Sequence, residues 1–218
     1  MRSPFKTIVF MTALLLAIAV IMVSVVSGFV LYRDVPLPTP TLPSPIQQIE
    51  QSTSSSRIIE IAAGKPTTAS SYYIGGPDYS FPPSAIVDGY IIELDCGIGV
   101  ERGNIYWLLA DGATGWVQIN LQQTYLIVKL RWLNTHNGNC GDRATTQFHI
   151  ALSSTGDFSG EEEDVYQGMM GFSYFPQFQE AMLTTPAAAQ YVRFYVDGYD
   201  KWGGGLNELE VYADVSNP

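Results

Sequence analysis

The chain has 218 residues and a formal net charge of −10 at pH 7, and 46% of its residues are hydrophobic. All 21 acidic residues lie from Asp34 onward, together with only 8 of the 11 basic ones, so this part carries a net charge of −13. Such an excess of negative charge argues against nucleic acid as a partner and against broad electrostatic attachment to anionic lipid. Neutral ligands and divalent cations are compatible with it.

Residues 7–32 form an uncharged, mostly apolar run. At about 1.5 Å per residue, a helix of this length crosses a hydrocarbon core of roughly 30 Å. Arg2 and Lys6 precede the run, so the positive-inside rule places residues 1–6 in the cytoplasm and the remainder outside. A cleaved signal peptide is the alternative, but its apolar region usually spans only about 7–15 residues. We therefore predict a single-pass signal anchor in the plasma membrane, with an extracytoplasmic C-terminal domain.

Residues 33–56 have the composition of a linker. Prolines stand at positions 36, 38, 40, 43 and 45, and the polar stretch QQIEQSTSSS follows them. Proline at this density prevents pairing in a sheet and favours extended polyproline geometry. The segment is therefore predicted to be a semi-rigid stalk that ends in a flexible joint.

Residues 57–215 are predicted to form one all-β domain. Four runs alternate between inward apolar and outward residues, are rich in β-branched and aromatic side chains, and end near turn-forming residues. Their inward sets are Val117, Ile119 and Leu121; Val128, Leu130 and Trp132; Phe148, Ile150 and Leu152; and Val192, Phe194 and Val196. Short alternating strands without a helical period predict a sandwich or a barrel.

The two cysteines, Cys96 and Cys140, both lie in stretches rich in turn-forming residues. Outside the cytoplasm an even pair of this kind is more often a disulfide than a metal or redox site, and the chain has no C-x-x-C spacing. We predict a disulfide between them.

The domain carries no recognisable catalytic motif. The sequence lacks a G-x-S-x-G elbow, an H-E-x-x-H pair and a phosphate-binding loop. His149 is predicted to lie on the solvent face of a strand, and the acidic run at residues 161–164 is predicted to be a solvated loop. Carboxylates are plentiful, as glycosidase chemistry requires, but the sequence singles out no pair. We expect a protein that is not an enzyme.

Seven segments of the domain follow one another in a specific order and spacing. They are AAGKPTTASSYY (62–73), PSAIVDGY (83–90), the single Trp107, GWVQINL (115–121), FHIALSSTGDF (148–158), AQYVRFYV (189–196) and GLNELEVY (205–212). Together they resemble a discoidin domain, also called a coagulation factor 5/8 type C domain, which is similar to carbohydrate-binding modules of family 32. The resemblance implies an eight-stranded jelly-roll β-sandwich of the galactose-binding-like fold. It also implies a non-catalytic recognition or adhesion module that binds through loops at one end.

The last strand carries two glutamates, Glu208 and Glu210, whose spacing places them on the same face of a sheet. Many members of the family that the domain resembles bind a structural calcium ion at the DG turn and the last strand. The resemblance therefore implies that Glu208, and not Glu210, binds calcium. The implied partners are the side chain of Asp88 and the carbonyls of Ala85, Tyr90 and Asn207, with Glu93 as a further candidate. The alternative is that Glu208 and Glu210 are both simply solvated.

The function has two competing interpretations. A glycan-binding module needs flat aromatic faces and a few polar groups to orient hydroxyls, and three predicted loops supply such side chains. The candidates are Tyr72, Tyr73, Asn134, His136, Asn137, Arg143, Tyr199 and Trp202. Against this, some of these aromatics are expected to pack under loops, and Arg143 to pair with Asp142 or another carboxylate. The second interpretation is a protein-interaction or adhesion module that recognises another envelope protein.

Overall fold

The computed structural model describes residues 56–76, 79–91, 105–171, 173 and 177–216, which belong to one compact unit. In this part of the chain, no helix has the length and apolar character needed to cross a membrane. The predicted anchor over residues 7–32 lies outside the described residues, as does the stalk over 33–56 apart from Ser56.

The described residues form eleven strands and two short 3₁₀ helices, and no α-helix, so the all-β prediction is confirmed. The strands are β1 (Ile58–Glu60), β2 (Thr67–Ala69), β3 (Ile74–Gly76), β4 (Tyr79–Ser80), β5 (Trp107–Leu108), β6 (Gly115–Leu133), β7 (Thr145–Ser153), β8 (Glu163–Met169), β9 (Gln179–Tyr199), β10 (Gly205–Leu206) and β11 (Glu208–Asp214). The 3₁₀ helices are Pro83–Val87 and Gly138–Cys140. Seven of these strands form the main sheet, and β3–β4 and β5–β10 form two small separate pairs, so the described residues contain more strands than the expected eight.

Two long strands, β6 and β9, organise the molecule. The main sheet has the order β1-β11-β6-β9-β7-β8, with β2 also paired to β6, and the pairs are antiparallel. The pairing of β6 with β9 is interrupted between Asn120 and Tyr125, where Gln122 adopts a left-handed conformation with φ of 71°. The two halves of β6 therefore pair with different strands, the first with β2 and the second with β11.

The core lies between the inner faces of these strands. Every side chain that the alternation predicted to face inward is buried, including Val128 at a shift in the β6–β9 register. This shift also buries Ile127, which strict alternation would place outside. Aromatic rings fill the centre, where Phe148 contacts Trp132 and Phe194 at centroid distances of 5.2 and 5.0 Å. Burial of large side chains of this kind stabilises a fold by about 1.5–3 kcal/mol each.

The small β5–β10 pair closes the sandwich beside its loops. Gly205 of β10 lies so close to β5 that an added Cβ would be 2.3 Å from the Trp107 carbonyl oxygen. Only glycine permits this approach of the two backbones, and it brings the segment after β9 against the segment after β5. Thr145 Oγ1 donates to the Gly205 carbonyl oxygen (2.7 Å) and so joins β7 to the same place.

Candidate functional site

Four segments meet at one end of the sandwich, which we call the loop end: residues 70–73, 109–114, 134–144 and 200–204. Backbone hydrogen bonds join them. Tyr73 N donates to Leu108 O (2.8 Å), Gly112 N to Trp202 O (2.8 Å), and Trp202 N to Asp142 O (3.0 Å). Loops that the sequence predicted to gather at one edge therefore do so.

Arg143 is the buried centre of the loop end. Its guanidinium lies 4.2 Å from the centroid of the Tyr73 ring, donates to Leu109 O (3.3 Å) and forms an ion pair with Asp111. The expectation that this arginine pairs with a carboxylate is thus correct, but the partner is Asp111 rather than Asp142. Asp111 compensates the charge of this guanidinium, and the Tyr73 ring covers one of its faces. Arg143 therefore holds the loops together and is poorly placed to attract an acidic ligand.

Asn137 fixes the conformation of the loop between β6 and β7. The residue is left-handed, with φ of 61°, a conformation that asparagine tolerates better than most residues. Its side chain accepts a hydrogen bond from the Tyr106 hydroxyl (2.9 Å) and donates to Asp142 Oδ1 (2.8 Å). These bonds make Asn137 a loop-bracing residue.

The other aromatic candidates differ in exposure. Trp202 is 62% exposed and Tyr72 is 41% exposed, whereas Tyr199 packs against the hydrophobic core. Tyr73 is half-buried between the Arg143 guanidinium and Phe81. Only Trp202 and Tyr72 of this set present large exposed ring surface to a ligand.

A cleft of about 510 Å³ lies on another side of the β6–β7 loop. Two of the predicted residues, Asn134 and His136, line it. His136 is buried, and Asn134 is committed to the backbone of Thr145, donating to its carbonyl oxygen (2.9 Å) and accepting from its N–H (3.2 Å). The opposite side of the cleft consists of residues just before or at the start of β9, which the sequence did not point to: Gln177, Phe178 and Gln179.

The structure thus divides the predicted ligand-binding set. In the loop end Arg143 covers the ring of Tyr73, and Asn137 and Trp202 both donate to Asp142, while Asn134 and His136 line the cleft. The sequence also gave no indication of Asp111. It did not point to Phe178 either. The available signal was a phenylalanine between two glutamines in the segment PQFQE (176–180), where the long strand β9 begins.

The predicted calcium ligands Asp88 and Glu208 approach each other at the turn after the first 3₁₀ helix. Glu208 Oε2 accepts a hydrogen bond from Gly89 N (3.3 Å), and Asp88 Oδ1 accepts one from Tyr90 N (2.8 Å). Gly89 has a φ of 77°, which glycine adopts without strain. The turn thereby places the carboxylate of Asp88 close to that of Glu208, the first residue of β11.

The electrostatics of this acidic pair are unusual. Burial, and then the charge of Asp88, raise the pKa of Glu208 from 4.5 to about 8. Burial also raises the pKa of Asp88, although the hydrogen bond from Tyr90 opposes the change. No lysine, arginine or histidine of the described residues forms an ion pair with either carboxylate. A buried carboxylate beside a second, exposed one, with no cationic side chain on either, offers the oxygen ligands and negative charge that a hard divalent cation requires.

The remaining predicted calcium ligands are close neighbours in sequence of Asp88 or Glu208. Ala85 is buried in the 3₁₀ helix and Tyr90 follows the turn. Asn207 is fully buried, and no described residue forms a hydrogen bond with its side-chain amide. Within the described ranges no cluster of three His, Cys, Asp or Glu side chains exists, so backbone carbonyls would supply most ligands. Glu93 lies outside the described residues.

The predicted disulfide involves Cys140, in the second 3₁₀ helix, and Cys96, which lies outside the described residues. The pairing therefore stays a prediction.

Two other candidate groups have local structural roles. His149 lies on the outer face of β7, where its ring stacks on Tyr195 (4.2 Å) and its Nδ1 lies 2.7 Å from Asp197 Oδ2. Glu161 accepts hydrogen bonds from Thr155 Oγ1 (2.9 Å) and Phe158 N (3.3 Å) and so closes its own loop. The acidic run at 161–164 was predicted to be a solvated loop. This is correct for Glu161 and Glu162, whereas Glu163 and Asp164 are the exposed first residues of β8.

The architecture and the clustered loops define the class of protein: a galactose-binding-like β-sandwich, similar to solved carbohydrate-binding modules and lectins. The F5/8 type C domain family matches residues 66–211, and the chain belongs to this family. The resemblance drawn from the sequence is therefore confirmed.

Three solved structures illustrate the likeness of the fold. The chitosan-binding module 1 of a Paenibacillus sp. IK-5 chitosanase/glucanase is 22% identical, with a TM-score of 0.53 over 71% of this chain and 99% of that one. The family 32 module of C. perfringens NanJ, solved with galactose, is 16% identical, with a TM-score of 0.50 over 72% and 99%. A fucolectin from striped bass (Morone saxatilis) serum is 15% identical, with a TM-score of 0.53 over 73% and 50%. Comparison with curated protein sequences gave no significant match.

Proposed function

We propose that the protein is a non-catalytic, membrane-tethered module that recognises carbohydrate through its loop end. The observation that carries the proposal is the pairing of exposed rings with a braced polar loop: Trp202 and Tyr72 are exposed beside a loop fixed by Asn137 and Arg143. Sugars bind to flat aromatic faces through their C–H surfaces, while a few oriented polar groups select their hydroxyls. The chitosan, galactose and fucose-type ligands in the names of similar structures support this choice.

A glycan array with the purified full chain in detergent tests the proposal. We expect binding to a restricted set of glycans and at least about a tenfold loss in affinity for Trp202→Ala, the equivalent of roughly 1.4 kcal/mol. Leu126→Ala, at an exposed apolar residue by the β6 corner, serves as the control and should bind normally. Capture of a specific envelope protein by crosslinking on cells, without binding to any glycan, would replace sugar recognition by the protein-interaction function.

The location of the domain is part of the proposal. An uncharged run at residues 7–32, preceded by Arg2 and Lys6, supports an anchor with the domain outside the plasma membrane. Protease added to intact cells should release a fragment that contains residues 57–215. Protection of this fragment until the membrane is broken would reverse the proposed orientation.

We also propose a structural calcium ion at Asp88 and Glu208 and a disulfide between Cys96 and Cys140. Calcium would neutralise the two carboxylates and tie the turn after the first 3₁₀ helix to β11. The disulfide would close a loop of about 45 residues and stabilise the fold by roughly 3–4 kcal/mol in the chain-entropy model. Thiol labelling of both cysteines in unreduced, exported protein would contradict the disulfide.

A further inference from the structure

The cleft of about 510 Å³ beside the loop end differs chemically from the surface around Arg143. None of the described residues that line it is an aspartate, glutamate, lysine or arginine. Amide, hydroxyl and aromatic groups alternate along its described walls, and its volume is within the range of small-ligand sites. A wall without formal charge favours a neutral ligand, because an ion would lose hydration without gaining a counter-charge.

Phe178 supplies the flat apolar surface in this cleft. The guanidinium of Arg131 lies 4.1 Å from the centroid of the phenylalanine ring and covers one of its faces. Arg131 is in turn held by Glu210 (2.7 Å) and Glu180 (3.5 Å), so the ring rests on a fixed support. Among the described residues no second ring or cation stacks on Phe178, and the phenylalanine itself lines the cleft.

Gln179 supplies an oriented polar group. Its Oε1 accepts a hydrogen bond from Trp132 Nε1 (3.0 Å), which sets the orientation of the amide, and its Nε2 carries two donor hydrogens. Gln177 is exposed at the rim of the same wall. A supported aromatic ring beside one oriented amide is an arrangement suited to the C–H surface and hydroxyls of a pyranose ring.

We propose that this cleft binds one neutral pyranose residue of the glycan, with Phe178 as the stacking platform and Gln179 as a specificity-determining donor. This inference rests on the proposed function and adds to it the class of sugar and its position. Because the β6–β7 loop lines both regions, a glycan that also contacts Trp202 would be an oligosaccharide that crosses this loop.

Titration calorimetry with the full chain tests the inference, using a neutral oligosaccharide from the array and the same oligosaccharide carrying uronic acid. We expect at least about a tenfold loss in affinity for Phe178→Ala. Phe158→Ala is the matched control, because Phe158 is also half-buried and stacked on an arginine, with Arg193 3.6 Å from its ring centroid. The control should keep wild-type affinity, and thermal melting should show both variants folded.

A variant that should gain affinity tests the cleft without relying only on the loss of affinity in Phe178→Ala. Gln177→Lys places a cation at the exposed rim, so binding of the acidic oligosaccharide should increase several-fold while the neutral form changes little. Affinity that falls with Trp202→Ala but not with Phe178→Ala would overturn the cleft assignment and leave sugar recognition intact. The absence of binding to any glycan by the wild-type chain would overturn both.

Discussion

Glu208 and Glu210 lie two residues apart on β11, but the surroundings of their two carboxylates differ. Glu210 Oε2 lies 2.7 Å from Arg131 Nη1 and accepts a hydrogen bond from the Tyr212 hydroxyl (2.5 Å). Glu208 is more deeply buried, yet the only hydrogen bond described for its carboxylate comes from Gly89 N, and the neighbouring charge is that of Asp88. One glutamate has its counter-ion within the chain, and the other has a second anion.

The comparison shows how burial without a cation changes the chemistry of the same residue type. A buried carboxylate that is not paired becomes hard to ionise, and its pKa rises. That cost disappears when a divalent cation supplies the missing charge. Glu208 should therefore respond strongly to calcium and pH, whereas Glu210 already has its counter-ion in Arg131.

The largest expected effect is that of calcium on thermal stability. Calcium at about 100 times its Kd stabilises the bound state by roughly 2.7 kcal/mol, which corresponds to about 5–10 °C in a domain of this size. Differential scanning calorimetry of the full chain with calcium and with chelator measures the shift. Glu208→Gln should abolish the shift and Glu210→Gln should retain it, because only Glu208 lacks a protein cation. Equal melting temperatures in calcium and chelator would rule out a structural ion.

The next largest effect is the destabilising influence of Glu208 at high pH when calcium is absent. Its pKa of about 8 in the folded state exceeds the ordinary 4.5, so between these values the folded state retains a proton that the unfolded state has lost. The contribution of Glu208 to the free energy of unfolding therefore falls as pH rises from about 4.5 to 8.

Glu208→Gln removes this dependence. In chelator at pH 8 the variant should be more stable than the wild type by roughly 1–3 kcal/mol, and the difference should vanish near pH 4.5. Urea unfolding at both pH values provides the measurement. A variant that is less stable than the wild type at pH 8 in chelator would contradict the buried, unpaired state of this carboxylate.

Glu210→Gln should have a smaller effect. The ion pair with Arg131 is partly exposed, and pairs of this kind contribute about 0.2–1 kcal/mol. Urea unfolding at low and high salt should give a loss within this range that shrinks as salt screens the pair. A loss of several kcal/mol, unaffected by salt, would mean that Glu210 rather than Glu208 is the critical carboxylate.

The smallest effect concerns the coupling within the acidic pair. Asp88→Asn removes the charge that is the second cause of the raised pKa of Glu208, after burial. The pKa of Glu208 in chelator should therefore decrease but stay above 4.5, as followed by NMR titration of its side-chain carboxyl carbon. An unchanged pKa would show that the two carboxylates do not interact.

The sequence determined the strand pattern and the family. Period-two alternation predicted the inward faces of four strands, such as Phe148, Ile150 and Leu152, because burial on one sheet face leaves a direct mark on every second residue. Ordered motifs such as GWVQINL and GLNELEVY were sufficient to indicate an F5/8 type C domain. The prominence of Glu208 over Glu210 followed from the same resemblance, since alternation alone treats the two residues alike.

The tertiary structure decided how side chains far apart in sequence satisfy one another. It paired Arg143 with Asp111, assigned Arg131 to both Glu210 and Phe178, and left Glu208 beside Asp88. None of these contacts has a sequence period, because each depends on how loops and strands from distant segments approach in space. Alternation reports which face a residue occupies, but the partner on that face is set by packing, and it is the partner that decides charge, pKa and binding.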